Sequence, residues 1–395
     1  MRVAVVHDWL YTIGGAERVL QAILRCYPGA DLHCLFDLMD EPDRRLIGYE
    51  RSVTSFLQRM PLLRGHHRLF LPLMPLAIEQ LDLRGYDLVI SSSYAVAKGV
   101  LTGPDQLHVS YVHSPMRYAW DLRAQYLQDS RLRSGVLGWL ARALLHHMRR
   151  WDVRSAAGVD HYIANSRFVA RRISKYYGRQ AAVIHPPVRV PEELPRVAKA
   201  DFFLTASRLV PYKNVRAIVE AFSNLLPRER LVVAGAGPEA PRLRALAGPN
   251  VELAGRVDDA RLCELMAQAA AFVFAAEEDF GIVAVEAQAA GTPVIALGRG
   301  GVRETVVSDG PAPTGLFFDA PEPAAIAAAV RRFLADPARF RAAACHANAG
   351  RFNEGRFARE FRALVDDAYA AFAAQRDWPA GAAPAGGRPV RAAAE

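Results

Sequence analysis

The chain has 395 residues, 51% of them hydrophobic, and a formal net charge of +8; that length exceeds one ordinary core and points to two domains. No apolar run reaches the ~18 residues of a membrane-spanning helix, and Cys26, Cys34, Cys263 and Cys345 form no Cys-x-x-Cys pair, so a membrane-embedded protein, a disulfide scaffold and a zinc or thiol-redox module of that type are set aside for a reduced, cytoplasmic compartment. The charge is one-sided: residues 1–190 hold 25 Lys and Arg against 16 Asp and Glu, the remainder 24 against 25, so the first half is expected to meet an anion, whether nucleic acid, acidic lipid headgroups or a phosphate-bearing acceptor.

The first predicted strand is Val3–His7; His7 and Asp8 interrupt the apolar run that a signal peptide would need. Gly14 and Gly15 follow, just before a helical pattern, where glycine permits close backbone approach and a helix N-terminus favours an anion. The spacing is not G-x-G-x-x-G, which argues against a dinucleotide oxidoreductase. Residues 55–80 mix apolar side chains with Arg59, Arg64, His66, His67 and Arg68, and suit a membrane interface or a core helix with a solvated face equally well. Strands are predicted at Leu88–Ser91 and His108–Val112. The second ends at His113, an imidazole placed to meet sugar hydroxyls, with Arg117, Tyr118, Trp120 and Asp121 behind it. Tyr118 and Trp120 suit stacking on a sugar or packing between helices. Arg131, Arg133, Arg142, Arg149, Arg150 and Arg154 form a second basic series, and strands at His161–Ala164 and Ala182–His185 close the block.

Pro186, Pro187, Pro191 and Pro195 then interrupt regular structure and mark a linker. A second block has strands at Phe202–Ala206, Leu231–Ala234, Val251–Leu253, Ala271–Phe274 and Pro293–Ala296, followed by helical patterns over Glu322–Leu334 and Arg356–Phe372. Alternating strands and helices in two blocks predict an α/β protein with two doubly wound parallel sheets, residues 1–190 and 198–350, facing across a cleft. Ligands of such sheets bind beyond the carboxyl ends of the strands. Residues 376–395, rich in Gly, Ala and Pro, are expected to be disordered.

The second block carries the clearest chemistry. Arg208 and Lys213, five positions apart after a strand, suit a diphosphate: the guanidinium forks onto it and the ammonium acts as a point charge. In EEDFGIVAVEAQAAGTPV, residues 277–294, a Phe280-Gly281 turn opens an alanine-rich helix. Glu278 before the turn and Glu286 within the helix can then hold two ends of a ligand whose phosphate sits on the N-terminal N–H groups. Gly235, Gly237, Gly255, Arg256 and Val257 occupy strand-to-turn elements that read as base contacts or as plain turns. No Asp-x-Asp occurs, so no metal site is expected and the cations replace a metal ion on the diphosphate.

GGAER, VHSP, SRLVPYKN and EEDFGIVAVEAQAAGTPV, in this order, resemble the retaining glycosyltransferases of family 4, which have the GT-B fold of two Rossmann-like domains; the likeness spans roughly residues 1–375. Residues 72–122 look like the branch of bacterial O-antigen and exopolysaccharide mannosyltransferases. The resemblance implies that Glu278 holds hydroxyls of the transferred sugar, Glu286 the ribose hydroxyls, and Arg208 and Lys213 the diphosphate, with N–H groups near Gly281 and Ile282. It implies that His113 lies beside the sugar, that Gly15 approaches the diphosphate or acceptor, and that a helix over 356–374 packs back on the first domain. Asp279 stands where many family members have Gly, and Ala236 where many have an acidic residue.

The expected function is therefore a retaining, metal-independent transferase moving a hexose, mannose from GDP-mannose, onto a lipid-linked glycan at the cytoplasmic face of an anionic inner membrane, as in O-antigen or exopolysaccharide synthesis. A UDP-sugar transferase or epimerase of the same fold is the alternative. A nucleic-acid-binding protein lacks a recognisable binding motif, and a non-catalytic scaffold would not need the whole clamp.

Overall fold

The computed structural model describes residues 1–121, 135–195 and 197–376. Two sheets form, parallel throughout. The first joins β1 (Val3–His7), β2 (Asp31–Cys34), β3 (Val53–Thr54), β4 (Leu88–Ser93), β5 (Leu107–Val112), β6 (His161–Ala164) and β7 (Ala182–Val183) in the order β3-β2-β1-β4-β5-β6-β7. The second joins β8 (Phe203–Ala206), β9 (Leu231–Ala234), β10 (Val251–Gly255), β11 (Ala271–Phe274), β12 (Val294–Leu297) and β13 (Gly315–Phe318) in the order β10-β9-β8-β11-β12-β13. Central strands such as Val3–His7 and Ala271–Phe274 are buried along their whole length. Helices cover both faces, so the strands read as continuous apolar runs. The strand order reverses between β1 and β4 and between β8 and β11, and crevices open at such switch points.

Three strands escaped the sequence reading for a common reason. The β2 sequence DLHC and the β13 sequence GLFF carry no β-branched residue, and β3, Val-Thr, is only two residues long; their place is set by pairing with β1, β2 and β12.

The helix Pro323–Ala335 matches its predicted span closely. The last helix, Glu354–Arg376, starts earlier and buries Phe357, Phe361 and Val365 among the side chains of the first sheet. Burial of each such side chain contributes roughly 1.5–3 kcal/mol, so the helix belongs energetically to the domain it crosses back to. The chain crosses between domains twice side by side, where Val188 N–H donates to the Phe352 carbonyl at 2.8 Å. Arg131, Arg133 and the expected disordered tail lie outside the described residues.

Candidate active site

The loops after β1 and β4 are locked together by one buried carboxylate. Asp8 accepts backbone N–H groups of Tyr94, Ala95, Val96 and Ala97 at 2.5–3.0 Å. Charge-assisted bonds of this kind are the strong ones. Beside it a chain of polar side chains runs through the switch point. Glu17 accepts the Gly14 N–H at 2.8 Å and reaches His7 Nε2 at 3.5 Å. His7 Nδ1 lies 3.1 Å from Ser92 Oγ, and Ser92 Oγ lies 2.8 Å from His113 Nε2. Burial above all pushes the His113 imidazole down to about 3, so its ring is neutral near pH 7.

Opposite, in the second domain, the turn after β8 carries Arg208, whose guanidinium donates to the Tyr212 hydroxyl at 2.8 Å. Gly235 and Gly237 act here as packing positions: a Cβ on either would fall within 1.9 Å of the Ser207 carbonyl oxygen or 2.3 Å of that of Leu209. They let β9 support the turn from below. Lys213 is ion-paired to Glu278. Burial, then the positive charges of Arg208 and Arg117, push its ammonium down to about 7, while Asp279 opposes. The Glu278 backbone is itself fixed, since its carbonyl accepts the Gly301 N–H at 2.8 Å and a Cβ at Gly300 would come 2.4 Å from that oxygen.

Gly281 adopts φ +83° and opens the helix Ile282–Ala289, a left-handed conformation that glycine takes without steric cost. The N-terminus of this helix faces that of Gly15–Cys26, because a Cβ on Gly15 would lie 2.9 Å from Ile282 Cδ1. Two helix N-termini thus meet across the cleft, and both favour an anion between them. Glu286, the fifth residue of its helix, is ion-paired to Arg18 of the first domain, which also reaches Asp259 at 3.3 Å. Burial raises the Glu286 carboxyl above its ordinary range, with Arg18 opposing and Asp259 reinforcing the rise.

Arg117 bridges the domains as well, donating to the Glu277 carbonyl at 2.8 Å and lying 3.7 Å from Asp279. The Tyr94 ring lies 6.1 Å from that of His113. Thus Arg208, Lys213, Glu278, Glu286, Gly281, Ile282, Gly14, Gly15 and His113 converge on one cleft between the strand ends. Gly255 bonds to Gly235 N–H at 2.7 Å and Val257 packs on the second core at the margin of this group.

Packing fixes the roles of Phe280 and Trp120. The Phe280 side chain is buried against His185 and Phe352, with ring centroids 5.4 Å apart in each case, so only its backbone is available to a ligand. Trp120 stacks on Tyr176 at 4.3 Å and donates to Asp152 at 2.8 Å, so it packs between elements. Arg18 was not singled out in the sequence, although it ends GGAER, three positions after Gly15 and so on the same helix face. His7, Glu17 and Ser92 had no signal beyond their place at strand and helix ends.

Among the described residues no group of three or more His, Cys, Asp or Glu is arranged to hold a metal ion. Two surface hollows lie away from the cleft, one against β6, β7 and the last helix, the other beside Tyr27 and Tyr49.

Residues 13–190 match the model of Glycosyltransferase Family 4, and residues 189–350 that of Glycosyl transferases group 1. The chain belongs to the family 4, group 1 glycosyltransferases. This family member is 33% identical over 218 residues to a D-inositol 3-phosphate glycosyltransferase of Geodermatophilus obscurus, covering 45% of this chain and 46% of that one. It is 31% identical over 233 residues to a GDP-mannose-dependent monoacylated alpha-(1-6)-phosphatidylinositol monomannoside mannosyltransferase of Corynebacterium glutamicum, covering 51% and 59%. The chain spans about half the length of the curated relatives it matches first. In fold it is similar to sucrose-phosphate synthase from Thermosynechococcus elongatus (TM-score 0.71, 19% identity, 94% of this chain and 100% of that one) and to HepE of Anabaena in complex with UDP (0.66, 18%, 93% and 100%). The architecture is GT-B.

Proposed function

We propose that this protein is a retaining glycosyltransferase that takes a hexose from a nucleotide-sugar donor, mannose from GDP-mannose, and moves it to a lipid-linked glycan. The observation that carries the reading is the convergence of Arg208, Lys213, Glu278 and Glu286 with two opposed helix N-termini. Donor diphosphate lies between the N-termini, against Arg208 and Lys213; Glu278 and His113 meet the sugar, and Glu286 the ribose. As the glycosidic bond breaks, the anomeric carbon becomes cation-like and charge builds on the departing diphosphate. Stabilising that leaving group supplies much of the catalysis. Arg208 and Lys213 provide this positive charge in place of a metal ion. The acceptor hydroxyl attacks on the face the diphosphate leaves, giving up its proton to a donor phosphate oxygen, which retains configuration. Domain closure keeps water from the reacting carbon.

The choice of GDP-mannose rests on the sequence likeness to mannosyltransferases, including the Corynebacterium relative. For the lipid-linked acceptor, the support is an exposed apolar and basic face on the first domain. Val136, Leu137, Trp139 and Leu140 are 50–76% exposed at the start of the helix Gly135–Ser155, which also carries exposed Arg150 and Arg154. Leu62, Leu69 and Leu76 are 50–71% exposed near Arg59 and Arg64. No helix among the described residues is long and apolar enough to cross a membrane, and such a face suits peripheral contact with anionic lipid.

The test is thermal stability against GDP-mannose, GDP, UDP-glucose and UDP, with and without a chelator, followed by transfer to lipid extracts. A ligand at 100 times its dissociation constant adds about 2.7 kcal/mol. Selective stabilisation by GDP and GDP-mannose, insensitive to chelator, is expected. Preference for UDP would replace the donor, and silence toward all four would remove the cleft reading.

A further inference from the structure

With Glu17 ionised and His7 neutral, the polar chain from Glu17 to His113 runs in one direction. Glu17 commits Oε2 to the Gly14 N–H, leaving Oε1 toward His7 Nε2. A carboxylate can only accept, so a neutral His7 holds its proton on Nε2 and offers Nδ1 as an acceptor. The single Ser92 proton is then donated to His7 Nδ1, and Ser92 Oγ accepts from His113 Nε2–H. His113 therefore keeps Nδ1 unprotonated, with no bonded protein partner among the described residues. All four side chains are buried to more than nine-tenths, and the rings of Tyr94 and Tyr111 stand 6.1 and 5.2 Å from that of His113, so water cannot readily scramble the sequence of donors.

We propose that Glu17, His7 and Ser92 are positioning residues that hold His113 as the Nε2–H tautomer, so that its Nδ1 lone pair accepts a hydrogen bond from a hydroxyl of the transferred sugar. This deepens the functional reading above and rests on it for the identity of the ligand. The role differs from that of a histidine donating to the sugar: the ring orients a hydroxyl and withholds a proton from the departing group.

The direction can be reversed without changing shape. In Glu17→Gln the amide oxygen must stay on the Gly14 N–H, which turns the amide NH2 toward His7 Nε2. His7 must then carry its proton on Nδ1 and donate to Ser92, which in turn donates to His113 Nε2, leaving His113 protonated on Nδ1. Long-range proton–nitrogen spectra of the full chain with labelled histidine read the tautomer directly. His113 is expected to be Nε2–H in the native protein and Nδ1–H in Glu17→Gln, with turnover about 100-fold lower and donor KM changed less than about twofold, the scale of a misplaced acid–base proton. Ser92→Ala, which interrupts the chain, is expected to give a mixture of tautomers. A native Nδ1–H ring, or a Glu17→Gln ring still protonated on Nε2, overturns the relay even in an active transferase. A reversed ring in a protein that binds no nucleotide sugar keeps the relay and removes the reading of the ligand.

Discussion

Arg18 of the first domain is ion-paired to Glu286 of the second, the carboxylate proposed to receive the donor ribose. The pair closes the cleft from both sides and occupies one of its binding groups. A ribose must displace the guanidinium, so nucleotide binding works against this contact. Arg18 is 38% exposed, and such a pair contributes at most about 1 kcal/mol. Arg18→Ala should therefore strengthen GDP binding by about threefold and enlarge the radius of gyration of the unliganded protein in small-angle scattering. Weaker binding with unchanged dimensions would move Arg18 onto the donor itself.

Glu278 and Glu286 are expected to separate in kinetics although they are chemically alike. Glu278 is paired with Lys213 of the proposed diphosphate clamp, so Glu278→Gln should lower kcat by roughly 100- to 1,000-fold, the loss seen when one preorganised charge-stabilising group is removed. Its circular dichroism and melting curve should stay native. Glu286→Gln removes an interaction made equally in ground and transition states, and should raise donor KM about tenfold with kcat little changed. Equal effects of the two on kcat would sink this division of roles.

Much of this arrangement was legible in the sequence, and the remainder was hidden for identifiable reasons. Strands such as Ala271–Phe274 are buried on both faces and announce themselves by composition alone. Glu278, Lys213 and Arg208 lie at the ends of such strands, where an α/β fold gathers its ligands. By contrast, β2 is stabilised by its neighbours rather than by propensity. The contacts of Arg18 with Glu286, 268 positions away, and of Arg172 with Asp279, 107 away, depend on how the domains close and have no local signature. Trp120 was ambiguous because an indole beside a strand end packs as readily as it stacks on a sugar. Asp152 and Tyr176 decide the matter.

Lys213 gives the reaction a pH dependence. Its ammonium is pushed down to about 7, first by burial and then by Arg208 and Arg117. The charged form is the one proposed to bind diphosphate, so affinity is expected to be complete below this value and to decline as pH rises through it. The alkaline limb of kcat/KM, which reports the free enzyme, should bend near pH 7 in the native protein. A guanidinium remains charged throughout this range, so Lys213→Arg should lose that bend while retaining part of the activity. Native kcat/KM that stays flat to pH 9 would exclude titration of Lys213.

Asp279 gives the departure from glycine a structural meaning. Arg172 donates to its carboxylate at 2.7 Å, Arg117 lies 3.7 Å away, and the Ser166 hydroxyl donates to its carbonyl at 2.5 Å. Arg172 also donates to the Ser114 hydroxyl at 3.1 Å and is ion-paired to Asp121, so one buried guanidinium ties the loop after His113 to the loop holding Glu278. Removing the Asp279 carboxylate leaves Arg172 with only Asp121 and Ser114 of its own domain and loosens the register of the two walls. Asp279→Gly should lower Tm only modestly, because each sheet keeps its own core. It should lower kcat about tenfold, since closing the cleft assembles the reacting groups. Asp279→Asn, which retains an acceptor at the same position, should recover most of the rate. Full activity in the glycine variant would show that closure needs no carboxylate here, and failure of the asparagine to rescue would show that charge rather than hydrogen bonding holds the walls together.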